Sequence, residues 1–293
     1  VFGASMLCNT VGNYVLIFGK LGLPALGVTG AAAATLLSRA VEFALAFGYA
    51  FRCRTVPLQW NAILHPGVAM FRRFLRYSAP VLANETIWGV GYSMMTVIMG
   101  HMASSGELIA AYTVAGNIDK LTTAGIFGVA NAVAVIIGKE IGTGNRDGVF
   151  DIGRALCFTA FCFGTALGAV EFVLFLTVLR PYVLPLFKLT AASARLCTIM
   201  VISYAVSMPL HGYTSTMIIG VLRGGGDVRA SLVLDNIPLW CFTLPTMCLL
   251  GLVLRVPNEW FCPCVMIEHV VKMPLGLWRV HSGKWVHDIT RTD

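Results

Sequence analysis

Long apolar stretches recur along this chain, and basic residues gather in alternate gaps between them. That pattern sets the solvent before any motif is read. Hydrophobic residues make up 57% of the sequence and charged residues only 12%, against about 25% charged in a soluble domain. So apolar a chain belongs in lipid, where backbone polar groups must be satisfied inside helices or a closed barrel. The stretches have the length of a helical span, about 20 residues, and lack the short alternation of barrel strands. The fold class is therefore an all-α polytopic membrane protein.

Eight transmembrane helices are predicted, over residues 2–19, 28–51, 77–99, 108–138, 155–179, 196–221, 231–253 and 260–278. The gap 52–76 carries Arg52, Arg54, Arg72, Arg73 and Arg76, so the positive-inside bias makes it cytoplasmic. Lys139, Arg146 and Arg154 mark the next cytoplasmic side, Arg223 and Arg229 another, and Arg279, Lys284 and Arg291 the tail. The gap 180–195, with Arg180, Lys188 and Arg195, is the one exception. Both ends of the chain are then expected in the cytoplasm, in keeping with an even number of spans. The net charge of +7 is explained by these flanks, and no nucleic-acid partner is expected. The chain opens on Val1 inside an apolar stretch with no charged leader, which reads as a fragment rather than a signal peptide. Trp278 and Trp285 fit an aromatic belt at the membrane interface.

Several turns have local causes. Gly22-Leu23-Pro24 breaks the first helix pair, and Gly142-Thr143-Gly144-Asn145 and Gly224-Gly225-Gly226-Asp227 supply turns tolerant of positive φ. Pro80, Pro209, Pro238 and Pro245 fall in or near spans, as packed bends or as kinks that free carbonyls toward a cavity. The small residues Gly30 to Ala34 permit close helix approach.

Charges inside apolar stretches carry the functional expectations. Glu85 lies nine residues beyond Arg76, roughly 13 Å along a helix. An ionised carboxylate at that depth is costly unless it faces protein, water or a cation. A carboxyl that can exchange a proton suits a proton-coupled carrier, and one with neighbouring oxygens suits a sodium site. Asn84 precedes it. Asp235 and Asn236 form a second polar intrusion, and Asn117, Asp119 and Lys120 a third. Glu171 lies deep in the fifth predicted span. Arg39 and Glu42, three apart, and Glu268 and Lys272, four apart, are spaced as structural ion pairs. Trp88, Tyr92, Tyr112 and Tyr204 offer π faces to a cation.

The nine cysteines show no repeated metal-ligand spacing, and the Cys262-Pro263-Cys264 step lies in an apolar segment where thiols pack as small hydrophobes. No metal, no cofactor and no catalytic constellation is expected, and no phosphate-cradling loop points to ATP-driven pumping.

Four stretches resemble the multidrug and toxic compound extrusion (MATE) family. They are N-Y-V-L-I-F-G-K-L-G-L-P-A-L-G-V-T-G-A-A-A-A-T (13–35), A-A-Y-T-V-A-G-N-I-D-K-L (110–121), G-K-E-I-G-T-G-N (138–145) and G-V-L-R-G-G-G-D-V-R (220–229). Members of that family have twelve helices in two six-helix lobes. The resemblance implies that 1–51 are the last two helices of the N-terminal lobe, 52–76 a cytoplasmic linker, 77–280 the C-terminal lobe and 281–293 a cytoplasmic tail. Helices one to four then have no counterpart, including the first, where many members carry an ion-coupling aspartate. Glu85 falls where sodium-coupled members carry a functional acid on helix seven, whereas the tenth helix, 196–221, has no acid.

The resemblance implies a monomeric antiporter of the bacterial inner membrane. It would export organic cations or other amphiphilic drugs in exchange for sodium ions or protons, with membrane lipid as its surroundings. Glu85, Asn84, Asn117, Asp119 and Asp235 are the expected cavity residues. A lipid-linked saccharide flippase of the same superfamily is the rival carrier, and a non-transporting scaffold or receptor the rival class.

Overall fold

The computed structural model describes residues 2–22, 24–52, 67–144 and 146–287. Most of the predicted linker 52–76 with Arg54, part of the predicted tail with Arg291, and Val1, Leu23 and Asn145 lie outside the described residues. The chain divides into two compact units, 1–73 and 74–293.

The first unit is built on a hairpin of α1 (Phe2–Phe18) and α2 (Gly27–Arg52). Gly30 lets the pair close. A Cβ there would stand 2.5 Å from the Leu16 carbonyl oxygen, so any side chain would force the helices apart. The turn uses positive φ at Gly19, Gly22 and Gly27. A polar seam runs between the helices: Ser5 donates to the Ser38 carbonyl and to Glu42, both at 3.1 Å, and Asn9 donates to Thr35 and Ser38. Arg39 hydrogen-bonds Glu42 one turn away in the same unit, with its guanidinium exposed.

The second unit holds the remaining rods. α3 (Val68–Gly100), from residue 74 onward, and α4 (Ser105–Gly142) are continuous helices. α5 (Arg146–Leu174) runs on through a π-helical stretch, Phe175–Val183, and a 3-10 turn, Leu184–Phe187. α6 (Ala191–Ser215) runs into a π stretch, Thr216–Arg223, and is started by Thr190, whose side chain accepts from the Ser193 N–H. α7 (Val228–Ile237) continues through π turns at Pro238–Thr243 and Leu249–Val253. The last rod opens at Asn258–Phe261, passes through the 3-10 segment Cys262–Met266, and ends as α8, Ile267–His281.

Among the described residues, five helices are long and apolar enough to cross a membrane: Gly27–Arg52, Ser105–Gly142, Gly148–Phe187, Ala191–Arg223 and Val228–Val253. The other three predicted spans coincide with α1, α3 and the last rod. α1 has only 17 residues, α3 carries Asn84, Glu85, Thr86, Ser93 and Thr96 along its length, and α8 itself has 15 residues.

Small residues bring α5 and α6 together. A Cβ on Gly164 would meet the Met208 carbonyl oxygen at 2.6 Å, one on Gly168 the Ala205 oxygen at 2.4 Å, and one on Gly212 the Ala160 oxygen at 2.5 Å. Pro209 has no N–H to give to the Ala205 carbonyl, and that is the oxygen seated against Gly168. Trp285 was expected in an interfacial belt; it is instead fully buried. Gly225 and Gly153 leave a slot for its ring, which a Cβ would close at 2.5 and 3.0 Å, and its Nε1 donates to the Val280 carbonyl.

Two apolar clusters hold this unit. One gathers Met95, Met99, Leu108, Met200, Leu239 and Phe261; the other gathers Val133, Ile137, Met217, Val221 and Trp285. Along α4 the first cluster reaches Ile118 and the second begins at Val129. Between them Asp119, Lys120 and Thr123, with Phe127, line a cavity.

Candidate substrate cavity

The cavity measures about 550 Å³ and is lined from α3, α4, the sixth and seventh rods (Ala191–Arg223 and Val228–Val253) and the last rod. That is within the roughly 300–1,000 Å³ range of small-molecule sites. Its walls carry the aromatic rings Trp88, Tyr92, Tyr112, Phe127 and Tyr204, and four acids, Glu85, Asp119, Asp235 and Glu268. The bases are Lys120, Arg223 and Lys272, with His211 and His269 beside them.

Asp235 is the most heavily connected acid. Lys272 Nζ donates to its Oδ1 at 2.7 Å, Asn84 Nδ2 donates to its Oδ2 at 2.9 Å, and the Arg223 guanidinium stands 4.0 Å away. Asn236 in turn donates to Asn84 Oδ1 and to the Leu232 carbonyl. In an apolar rod each of these groups needs a partner, because an unpaired polar group in hydrocarbon costs several kcal/mol. The π turn at Pro238 follows this network directly, and Thr243 Oγ1 donates to the Pro238 carbonyl.

Arg223 is shared. Its guanidinium bonds Glu85 Oε1 at 2.7 Å, its Nε donates to Ser231 Oγ, and it lies within reach of Asp235. The π stretch Thr216–Arg223 delivers this arginine to the cavity, where the charge pattern had placed it only in a cytoplasmic gap. Glu268 stands at the start of α8. Tyr92 donates to its Oε1 at 2.7 Å and His269 Nε2 is 3.5 Å from the same oxygen, while Oε2 is buried without a hydrogen bond. His269 stacks on His211 with ring centroids 4.4 Å apart, and its Nδ1 lies 3.2 Å from Thr214 Oγ1.

The expected residues fare unequally. Glu85, Asn117, Asp119 and Asp235 line the cavity together. Glu85 was expected to face protein, water or a cation; it lines the cavity with its side chain 56% exposed and pairs with Arg223. Asn84 was expected as a cavity contact; it is buried behind the wall, where it braces Asp235 and Asn236. Lys272 was expected to pair with Glu268 one turn back; it bonds Asp235 across 37 positions instead. Glu171 is buried on α5 outside the cavity lining. Sequence reasoning passed over His211, Thr214 and His269. The only available signal was a titratable or hydroxyl side chain within an apolar run. Among the described residues, no group of three His, Cys, Asp or Glu side chains converges as a metal site.

Comparison with known proteins agrees with this architecture. The chain is 23% identical over 292 residues to a probable multidrug resistance protein NorM of Thermotoga maritima, covering 97% of this chain and 60% of the relative. It is 26% identical over 258 residues to one of Mesorhizobium japonicum, covering 84% of this chain and 53% of the relative. An uncharacterized transporter, YisQ, of Bacillus subtilis is 23% identical, covering 84% of this chain and 52% of that protein. Among solved structures, a MATE in complex with MaL6 superposes with a TM-score of 0.80 at 19% identity, over 96% of this chain and 62% of the other. An outward-facing multidrug resistance MATE transporter also gives 0.80, at 19% identity, covering 96% of this chain and 61% of that one. The chain therefore spans about half to three-fifths of the length of the curated relatives described here. The MatE family profile matches residues 80–244, which takes in α4 to α6 and most of α3 and of the seventh rod, and this multi-pass membrane chain belongs to the MatE family of transporters.

Proposed function

We propose that this chain is a secondary antiporter of a bacterial inner membrane, or a large fragment of one, with both ends in the cytoplasm. It exports organic cations or other amphiphilic drugs in exchange for sodium ions or protons. The observation that carries this reading is the composition of the cavity. Aromatic faces surround acids that outnumber the bases, and two of those acids are matched by Arg223 and Lys272. Lys120 offsets a third, so one negative charge of the lining remains for an incoming cation, which also gains from the ring faces of Trp88, Tyr92 and Tyr112.

Coupling is supported by the shared arginine. One guanidinium lies between Glu85 and Asp235, so a proton or sodium ion taken up by either acid releases it toward the other. That rearrangement would move the sixth rod at its π stretch, and π-helical turns occur often at functional sites. Two packings biased by ion and drug are what alternating access requires. The rival flippase reading calls for a basic lining free to bind phosphate, and here two of the three bases, Arg223 and Lys272, are committed to carboxylates in a lining with more acids than bases.

The test is ethidium release from vesicles containing the whole protein, under an imposed sodium or proton gradient. One inward gradient accelerates release. If neither changes it, antiport is refuted, and if coupling persists unchanged in Glu85→Gln, Glu85 leaves the mechanism.

A further inference from the structure

A second cavity, about 490 Å³, opens between α5 and α8, away from the acids. Its walls follow helical spacing on both sides. Arg154, Phe158 and Phe161 form one face of α5, Leu277 and His281 come from α8, and the buried Tyr213 of α6 closes the back. The groove is apolar along most of its length and basic at one end.

That basic end is not neutralised. Among the described residues, Arg154 has no ion pair, and its guanidinium donates to His281 Nε2 at 3.2 Å. His281 Nδ1 bonds the Leu277 carbonyl at 2.9 Å, so Nδ1 carries the donor proton and Nε2 offers its lone pair to the arginine. A neutral imidazole positions the guanidinium without cancelling its charge. The contrast is with Arg279, two residues before His281, which is bound by Asp227. Arg154 and His281 are both exposed, and Phe158 is 67% exposed beside them.

An exposed guanidinium at the mouth of an aromatic and aliphatic groove, on a chain that lies in a bilayer, matches one kind of molecule. We propose that this groove is a binding site for an anionic phospholipid, whose phosphate is held by Arg154 and whose acyl chain lies along Phe158, Phe161 and Leu277. Arg presents a planar fork suited to bidentate phosphate recognition. The fit depends on charge complementarity at one end and apolar surface at the other: a free phosphate lacks the apolar half, and a zwitterionic lipid brings, with its phosphate, a choline cation that the uncompensated guanidinium repels. The site is independent of the transport reading.

The test is native mass spectrometry of the purified, delipidated protein with added phosphatidylglycerol, chain-matched phosphatidylcholine, or inorganic phosphate. One phosphatidylglycerol binds about tenfold more tightly than phosphatidylcholine, whose phosphate is the same but whose choline cation opposes the Arg154 guanidinium. Arg154→Gln removes the preference, and Arg180→Gln, an exposed arginine at the other end of the same rod, leaves it. Ala155→Phe, which fills the groove, weakens both lipids. The proposal is overturned if Arg154→Gln binds phosphatidylglycerol as well as the parent, or if inorganic phosphate competes as effectively as the lipid. Thermal unfolding of Arg154→Gln and Arg154→Lys reports folding separately, and Arg154→Lys must keep part of the preference.

Discussion

Replacing Lys272 by Met should destabilise the second unit by about 3 kcal/mol. The lysine side chain is 4% exposed and the Asp235 side chain 13% exposed, with 2.7 Å between Nζ and Oδ1. Removing one member of a buried pair leaves the other charge uncompensated, at a cost of about 3–5 kcal/mol. The lower end applies here because Asn84 keeps its bond to Oδ2 and Arg223 stands 4.0 Å away. The double variant Lys272→Met with Asp235→Asn removes both charges and should return to within about 1 kcal/mol of the parent. The coupling between the two sites is then about 2 kcal/mol or more, far above the noise of additivity between independent sites. Reversible unfolding in mixed micelles measures all three variants. If Lys272→Met loses less than about 1 kcal/mol, the pair is not a buried one. If Lys272→Met couples to Glu268→Gln more strongly than to Asp235→Asn, the lysine belongs to Glu268 and the assignment of partners is wrong.

Other substitutions probe the packing. Gly168→Val should cost about 1–3 kcal/mol or more, as overpacking does, because its Cβ would stand 2.4 Å from the Ala205 oxygen; Gly128→Ala on α4 meets nothing within 4 Å and should be nearly neutral. Trp285→Ala empties a fully buried site and breaks the bond to the Val280 carbonyl, for a loss of about 3–5 kcal/mol in the same unfolding assay. Thr190→Ala removes the cap of α6 and should cost about 1 kcal/mol, while Thr190→Ser should restore most of it.

Much of the architecture was legible because hydrocarbon leaves few choices. Apolar runs with basic gaps place the rods, and an acid inside such a run must face protein or a cavity, which is why Glu85, Asp119 and Asp235 stand out. Partner choice was not legible. Glu268 is one turn from Lys272 on the same helix, but Asp235 on the neighbouring rod presents an oxygen closer to Nζ, and no spacing rule reports that geometry. His211 lies on a helix whose polar residues gather on no one face, so its sequence position carries no signal for the face it shares with His269. Trp285 looked interfacial because it follows Trp278 near the tail. Its burial depends on two glycines, Gly153 and Gly225, that are far apart in sequence and meet only in the fold.

The central claim is that the aromatic and acidic cavity of the second unit receives the transported cation. Gly116 lines it, and a Cβ added there meets nothing within 4 Å, so Gly116→Trp projects an indole into the cavity rather than into packed neighbours. Equilibrium titration of the purified protein with ethidium, followed by its fluorescence, is the direct measurement. Saturable binding should be seen in the parent and lost in Gly116→Trp, with the unfolding midpoint unchanged. Equal binding by the two proteins would put the drug somewhere else and end the account.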